Sequence, residues 1–194
     1  MTDSKHLFEN GQQLLLHGKI KESIESFSKA ISGGEKSDLL FLSRGVAYLK
    51  NHETDHAIDD FSEVVRMNDN NARAHYYRGI AYLTTEDYKD AISEFDRTIE
   101  LEPENGAAFF ARGTAHANIG NDELAAKNIK TAIAFSESGI YGLQETIGLW
   151  RTQFDKTMSI VTGEKKPLGM SLTDDESRKI KEWLEEGYKE DTFH

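Results

Sequence analysis

The stretch HYYRGIAYL at residues 75–83, followed by AISEFDRTIELEP at residues 91–103, decides the fold of this chain. Its glycine recurs at intervals of 34 residues, as Gly11, Gly45, Gly79 and Gly113. Twelve positions after each glycine stands a small residue, and four positions later a large one. These residues are Ser23, Ala57, Ala91 and Ala125, followed by Phe27, Phe61, Phe95 and Ile129. A fixed period of this length predicts a tandem repeat.

Within each repeat the apolar residues fall at helical spacing. Phe41 and Gly45 share one face of a first helix, and Ala57, Phe61 and Val64 share one face of a second helix. A glycine lets two helices approach closely, and a large side chain on the partner helix fills the space. The sequence therefore predicts an all-α fold of antiparallel helix pairs. These pairs must stack, because one pair alone cannot bury its apolar faces.

The repeated pattern resembles the tetratricopeptide repeat (TPR) family. The four copies lie at about 4–37, 38–71, 72–105 and 106–139. The first copy departs from the pattern at Leu14 and Ser23, and the fourth departs from it at His116 and Ile129. The resemblance implies a right-handed α-solenoid, and it covers about 70% of the chain.

The last 55 residues lack the repeat pattern. Residues 140–162 have the apolar spacing of a long amphipathic helix, which would cap the array. A linker is predicted at 163–172, and a final helix and tail at 173–194. That final helix has three possible roles: a cap on the long helix, an intramolecular ligand of the array's own groove, or an exchanged element that makes a dimer.

Composition excludes several classes of function. The chain has 194 residues, 23 basic and 34 acidic, with a net charge of −11, so neither nucleic acid nor an anionic membrane is expected as a partner. The absence of cysteine excludes disulfides and thiolate chemistry. We find no pattern of a signal peptide or a membrane span, and we expect a cytoplasmic protein.

The motif HETDH at residues 52–56 matches the H-E-x-x-H spacing of zinc proteases and offers a distant alternative function, a metal-dependent hydrolase. Such a site needs both histidines on one helix, one turn apart. Here the repeat register places His52 in the turn between two helices, the first ending near Lys50 and the second beginning near Thr54 or Asp55. We therefore interpret the motif as a turn and expect no metal, no cofactor and no enzymatic activity.

Other polar residues also have structural interpretations. GGEKS at 33–37 is predicted to be a turn between repeats. His75 and His116 occupy packed slots and are expected to be interior imidazoles with satisfied hydrogen bonds. Asp59 and Asp60 are expected to lie on a solvated helix face.

In TPR proteins the first helices of the repeats line a concave face that holds a peptide or a helix of a partner. Carried over to this chain, that face is largely apolar and aromatic, which suits a partner with hydrophobic anchors. The predicted groove residues are Phe8, Gln12, Leu42, Val46, Leu49, Arg73, Tyr76, Tyr77, Ile80, Phe110 and Thr114. A second interpretation stays open, in which neighbouring helices cover these residues and they belong to the core.

One branch of the family binds the C-terminal carboxylate of chaperones through lysine, asparagine and arginine side chains. The corresponding slots here hold Phe8, Gln12, Ser43, Arg73 and Tyr77. Only Arg73 fits, so the pattern does not support a carboxylate clamp.

The resemblance thus implies a protein-interaction module, either an adaptor or a co-chaperone-like scaffold. A self-association or structural assembly module is the alternative. We expect a monomer or a weak homodimer.

Overall fold

The computed structural model describes residues 2–135, so the predicted segments 140–162, 163–172 and 173–194 lie outside the described residues. The described part contains eight α-helices and no strand. The helices are α1 (Thr2–Leu16), α2 (Ile20–Ser32), α3 (Asp38–Lys50), α4 (Thr54–Met67), α5 (Ala72–Thr84), α6 (Tyr88–Leu101), α7 (Gly106–Asn118) and α8 (Asp122–Ala134). None of them is both long and apolar enough to cross a membrane. The helices form four pairs, which is consistent with four repeats.

The chain divides into two compact units, Met1–Pro103 and Glu104–His194. In the first unit each helix packs on the next one along the chain, from α1 to α6. The first helices of its three pairs, α1, α3 and α5, also contact one another in order. They therefore form one layer of this unit. In the second unit α7 packs on α8.

The two helices of each pair approach most closely where a glycine of one helix faces a large buried side chain of the other. A β-carbon placed on Gly45 would lie 2.5 Å from Cε1 of Phe61, whose side chain is fully buried. Carbon atoms in contact normally stay about 3.5–4.0 Å apart. A β-carbon placed on Gly11 would lie 2.5 Å from the nearest atom of Phe27. The same distance is 2.7 Å from Gly79 to Phe95 and 3.0 Å from Gly113 to Ile129. The close approach that the repeat pattern predicts is therefore present in all four pairs.

The turn inside each pair has one backbone geometry. His52 has a φ of 62°, and its N–H donates to the carbonyl of Leu49 at 3.1 Å. The next N–H, of Glu53, donates to the carbonyl of Tyr48 at 2.9 Å. This is a Schellman motif, which ends a helix on a left-handed residue. The residues at the left-handed position, again 34 residues apart, are Gly18, His52, Glu86 and Gly120.

The turns between pairs end in a side-chain cap. The Ser37 hydroxyl accepts a hydrogen bond from the N–H of Leu40 at 3.3 Å, and α3 begins at the next residue. The equivalent caps of α5 and α7 are Asn71 and Asn105. GGEKS at 33–37 accordingly lies between α2 and α3, which confirms its prediction as a turn.

A buried ion pair fastens α3 to α4. Nε and Nη2 of Arg44 donate to the two carboxylate oxygens of Asp60 at 2.8 and 2.7 Å, and Nη1 donates to the Ser28 hydroxyl of the preceding pair at 3.1 Å. Asp60 is only 4% exposed, so the expectation that Asp59 and Asp60 both face solvent is wrong for Asp60. Asp60 occupies the slot opposite Arg44 in the adjacent helix. The equivalent pairs are Arg78 with Glu94 and Arg112 with Asn128.

The second of these polar contacts extends to a buried histidine. Nδ1 of His75 lies 2.8 Å from a carboxylate oxygen of Glu94, and its Nε2 lies 3.0 Å from the carbonyl oxygen of Asp69. Of the two histidines predicted to be interior, His75 is buried, with both ring nitrogens within hydrogen-bond distance of acceptor oxygens, whereas His116 is half-buried. Burial alone would raise the pKa of Glu94, but the hydrogen bonds from His75 and Arg78 and their charges outweigh it and hold that pKa below its usual value.

Candidate functional site

The first helices of the first unit share a solvent-facing side. On α3 it lies at the positions 39, 43, 46 and 50, whose helical spacing places them away from the face of Gly45 that contacts α4. We call this surface the first-helix strip. It comprises Lys5, Glu9, Gln12 and Leu16 on α1, Leu39, Ser43, Val46 and Lys50 on α3, and Arg73, Tyr77, Ile80 and Thr84 on α5. All of these residues except Ile80 are exposed or half-buried. Because the three helices contact one another in order, the strip crosses the whole layer.

The predicted groove residues divide into two groups by exposure. Arg73 is exposed and five others are half-buried, namely Phe8, Gln12, Val46, Tyr76 and Tyr77. The buried ones are Leu42, Leu49, Ile80, Phe110 and Thr114. A buried side chain has little surface to offer a partner, so the core interpretation suits this second group. The role of every one of these residues in binding stays a prediction.

The half-buried aromatic residues are held by the core. The ring of Tyr77 stacks on Phe61 with 5.8 Å between the centroids, and Tyr76 meets Tyr77 edge-on at 5.4 Å. Phe8 packs at 6.0 Å from Phe27 in the first pair. Each of these rings therefore has one side fixed against the phenylalanines that face the glycines, and its position on the surface is set by the repeat packing.

The most exposed apolar side chains of the strip lie at inner positions of the first helices that the family resemblance also implies. Leu16 is 79% exposed and Leu39 is 47% exposed. Lys5 and Lys50 are exposed as well. The repeat period itself contains the signal that finds them, because Lys5 and Leu39 are the equivalents of Arg73 at intervals of 34 residues.

The HETDH motif spans a helix boundary. His52 lies in the turn with its positive φ, whereas His56 lies in the first turn of α4. His56 makes local contacts: its Nδ1 is 3.2 Å from a carboxylate oxygen of Glu53, and its ring lies 5.1 Å from that of Tyr48. The two histidines do not share one helix, as the zinc-protease arrangement requires. Between residues 2 and 135, no group of three or more histidine, cysteine, aspartate or glutamate side chains is placed to hold a metal ion.

These observations define the class of protein. Antiparallel helix pairs with glycine-to-aromatic contacts at a 34-residue period form an all-α solenoid of the tetratricopeptide type, as the sequence predicts. The tetratricopeptide repeat model matches residues 42–101 and residues 79–139, which together make up half of the chain. The chain belongs to the tetratricopeptide repeat family.

Several solved structures share this fold. The chain of MamA from Desulfovibrio magneticus that begins at residue 41 is 16% identical with a TM-score of 0.69, over 96% of this chain and 97% of that one. YrrB, described as a TPR protein with an unusual peptide-binding site, is 22% identical with a TM-score of 0.66, over 73% of each chain. The first TPR domain of Spaghetti (RPAP3), bound to the HSP90 peptide SRMEEVD, is 24% identical with a TM-score of 0.59, over 61% of this chain and 94% of that domain. No curated protein matches the chain.

Proposed function

We propose that the chain is a non-enzymatic protein-interaction module that binds a peptide or a helix of another protein on the first-helix strip, and that it acts as an adaptor or scaffold. One observation carries the proposal. Leu16 and Leu39 expose large apolar side chains on the same strip where Val46 and Tyr77 are half-buried. Apolar surface of this kind, rimmed by polar residues, is typical of sites that bind other proteins.

The comparisons support the proposal at the level of the fold. The Spaghetti domain is described with a bound peptide, and YrrB is described with a peptide-binding site. Both structures are less than 25% identical to this chain. They therefore supply a precedent for peptide binding by helix pairs of this type, and the position of the site rests on the exposed residues of the strip.

Matched surface variants test the position of the site. We expect Leu39→Glu combined with Val46→Glu to abolish capture of partners from the lysate of the source cells, because a charge on an apolar contact surface must be desolvated on binding. Met67→Glu is the control, since Met67 is also an exposed apolar residue, at the C-terminal end of α4. Both variants should keep the helicity of the unmodified chain by circular dichroism.

Two results would refute this proposal. Equal loss of capture in the Met67 control would place the contact elsewhere. A chain that captures only itself, with an increase in mass by light scattering, would favour the self-association module.

A further inference from the structure

The charges of the first unit are unevenly divided between first and second helices. The first helices α1, α3 and α5 together have five basic and three acidic side chains. The second helices α2, α4 and α6 together have five basic and ten acidic side chains. The excess of negative charge in this part of the chain therefore belongs to the second helices, on the other side of the glycine contacts.

The basic residues of the strip differ from the half-buried arginines of the same helices. Arg44 and Arg78 are bound to Asp60 and Glu94 between the helices, so they do not contribute to the strip. Lys5, Lys50 and Arg73 lie on the strip and are exposed. Within residues 2–135, none of these three makes an ion pair with another described residue.

Two arginines of the second helices, by contrast, bind carboxylates, whereas Lys89 on α6 is exposed and makes no ion pair with another described residue. Arg66 binds Glu63 with an N···O distance of 2.6 Å, and Arg97 binds Glu100 at 3.0 Å and Asp69 at 3.2 Å. On the strip the only carboxylate is Glu9. The strip is thus a locally basic surface on a chain whose net charge is −11.

The basic residues flank the apolar ones. Lys5, Leu39 and Arg73 occupy the same slot near the start of three neighbouring helices, and Leu16 and Lys50 occupy the same slot near the end of α1 and α3. The half-buried Val46 and Tyr77 lie between these two rows. A ligand laid across the three helices would therefore meet both apolar and positively charged groups.

We propose that the partner segment is an acidic amphipathic peptide, with Asp or Glu side chains set beside large apolar anchors. This inference rests on the proposed function and specifies the chemistry of its ligand. The negative charge of the second helices does not oppose it strongly, because salt screens charges over about 8 Å at physiological ionic strength. At contact the unpaired cations of the strip determine the preference.

The test is selection of random short peptides displayed on phage against the full chain. We expect the enriched peptides to combine Asp or Glu with Leu, Ile, Phe or Trp. Synthetic copies should bind more weakly as salt is raised, since exposed charge pairs are screened. The double variant Lys50→Glu and Arg73→Glu should weaken their binding about tenfold in calorimetry, whereas Lys89→Glu on α6 should change it less than about twofold.

The outcomes separate this inference from the proposed function. Enrichment of neutral or basic peptides whose binding is lost in Leu39→Glu would overturn the acidic preference and leave the strip as the binding site. The acidic preference would also fall if Lys89→Glu weakened binding as much as the double variant. Failure to enrich any peptide, or enrichment of peptides insensitive to Leu39→Glu, would overturn both. If the chain self-associates and Leu39→Glu or the double variant abolishes this self-association, the strip binds a second copy of the chain. That result would refute the proposal of an acidic peptide as the ligand.

Discussion

Replacing Gly45 with alanine tests the contact that defines the helix pair. The added methyl group would lie 2.5 Å from Cε1 and 2.9 Å from both Cδ1 and Cζ of Phe61, which is fully buried. Overpacking of this kind costs about 1–3 kcal/mol. Alanine also favours a helix over glycine by about 1 kcal/mol, so the two effects oppose each other. Because the contact is so short, we take the upper value for overpacking and expect a net loss of about 2 kcal/mol.

A double-mutant cycle in urea denaturation separates the two effects. In a Phe61→Leu background the shorter side chain relieves the contact, so adding Gly45→Ala should no longer destabilise the chain and should add up to about 1 kcal/mol from helix propensity. The coupling free energy between the two positions should then be about 3 kcal/mol. If Gly45→Ala stabilises the unmodified chain, or if its effect is the same in both backgrounds, the steric argument is wrong.

Further predictions concern burial, backbone strain and pH. Ile80→Glu should lower the free energy of unfolding in urea by about 3 kcal/mol, because Ile80 is 3% exposed. The same change at Leu39 should alter it by no more than about 0.5 kcal/mol. Similar losses at both positions would show that Leu39 belongs to the core. His52→Gly should raise the melting temperature by removing left-handed strain of about 1 kcal/mol, and Gly18→Ala should lower it; opposite shifts would refute a shared turn geometry. Glu94→Gln should cost about 3 kcal/mol at pH 7 by removing the carboxylate that pairs with Arg78 and contacts His75. The pKa of Glu94 is lowered by folding, so its contribution should be complete above the unfolded value of 4.5 and disappear as the pH falls below it. Stability curves of the variant should therefore be flatter at acid pH than those of the unmodified chain, and parallel curves would contradict this.

The fold was largely accessible from the sequence because the repeat fixes the register of every element. The predicted end of a helix near Lys50 and the start of the next near Thr54 are both found, since the turn between them follows one pattern in all four pairs. The glycine-to-phenylalanine contact was likewise predictable from spacing alone. A tertiary contact that repeats many times leaves a signal that local propensity does not.

The polar interior was not predicted in full, for a physical reason. Asp60 follows Asp59 in a charged segment, and charged residues are buried only when they are paired. Its partner Arg44 lies 16 residues earlier, on the adjacent helix. Only the recurrence of such a pair in the next repeat, as Arg78 and Glu94, distinguishes it from a solvated charge.

The exposure of individual side chains on the first helices could not be predicted from the sequence either. Val46 and Ile80 occupy equivalent slots, yet one is half-buried and the other is buried. Equivalent slots have different neighbours along a stack of repeats, because the side chains of adjacent repeats differ. For this reason the sequence indicated the helices that carry the candidate site, and the structure was needed to select the side chains on them.

Site-specific cross-linking tests the central claim most directly. The chain contains no cysteine, so a single cysteine at Val46 or at Glu63, on α4, can each carry one photoactivatable maleimide without competing labels. In lysate of the source cells, the account predicts a discrete cross-linked protein from position 46 that is absent from position 63, and that disappears when Leu39→Glu is added. Cross-links of equal yield from both positions, or cross-links from position 63 alone, would contradict the assignment of the first-helix strip as the surface that binds a partner.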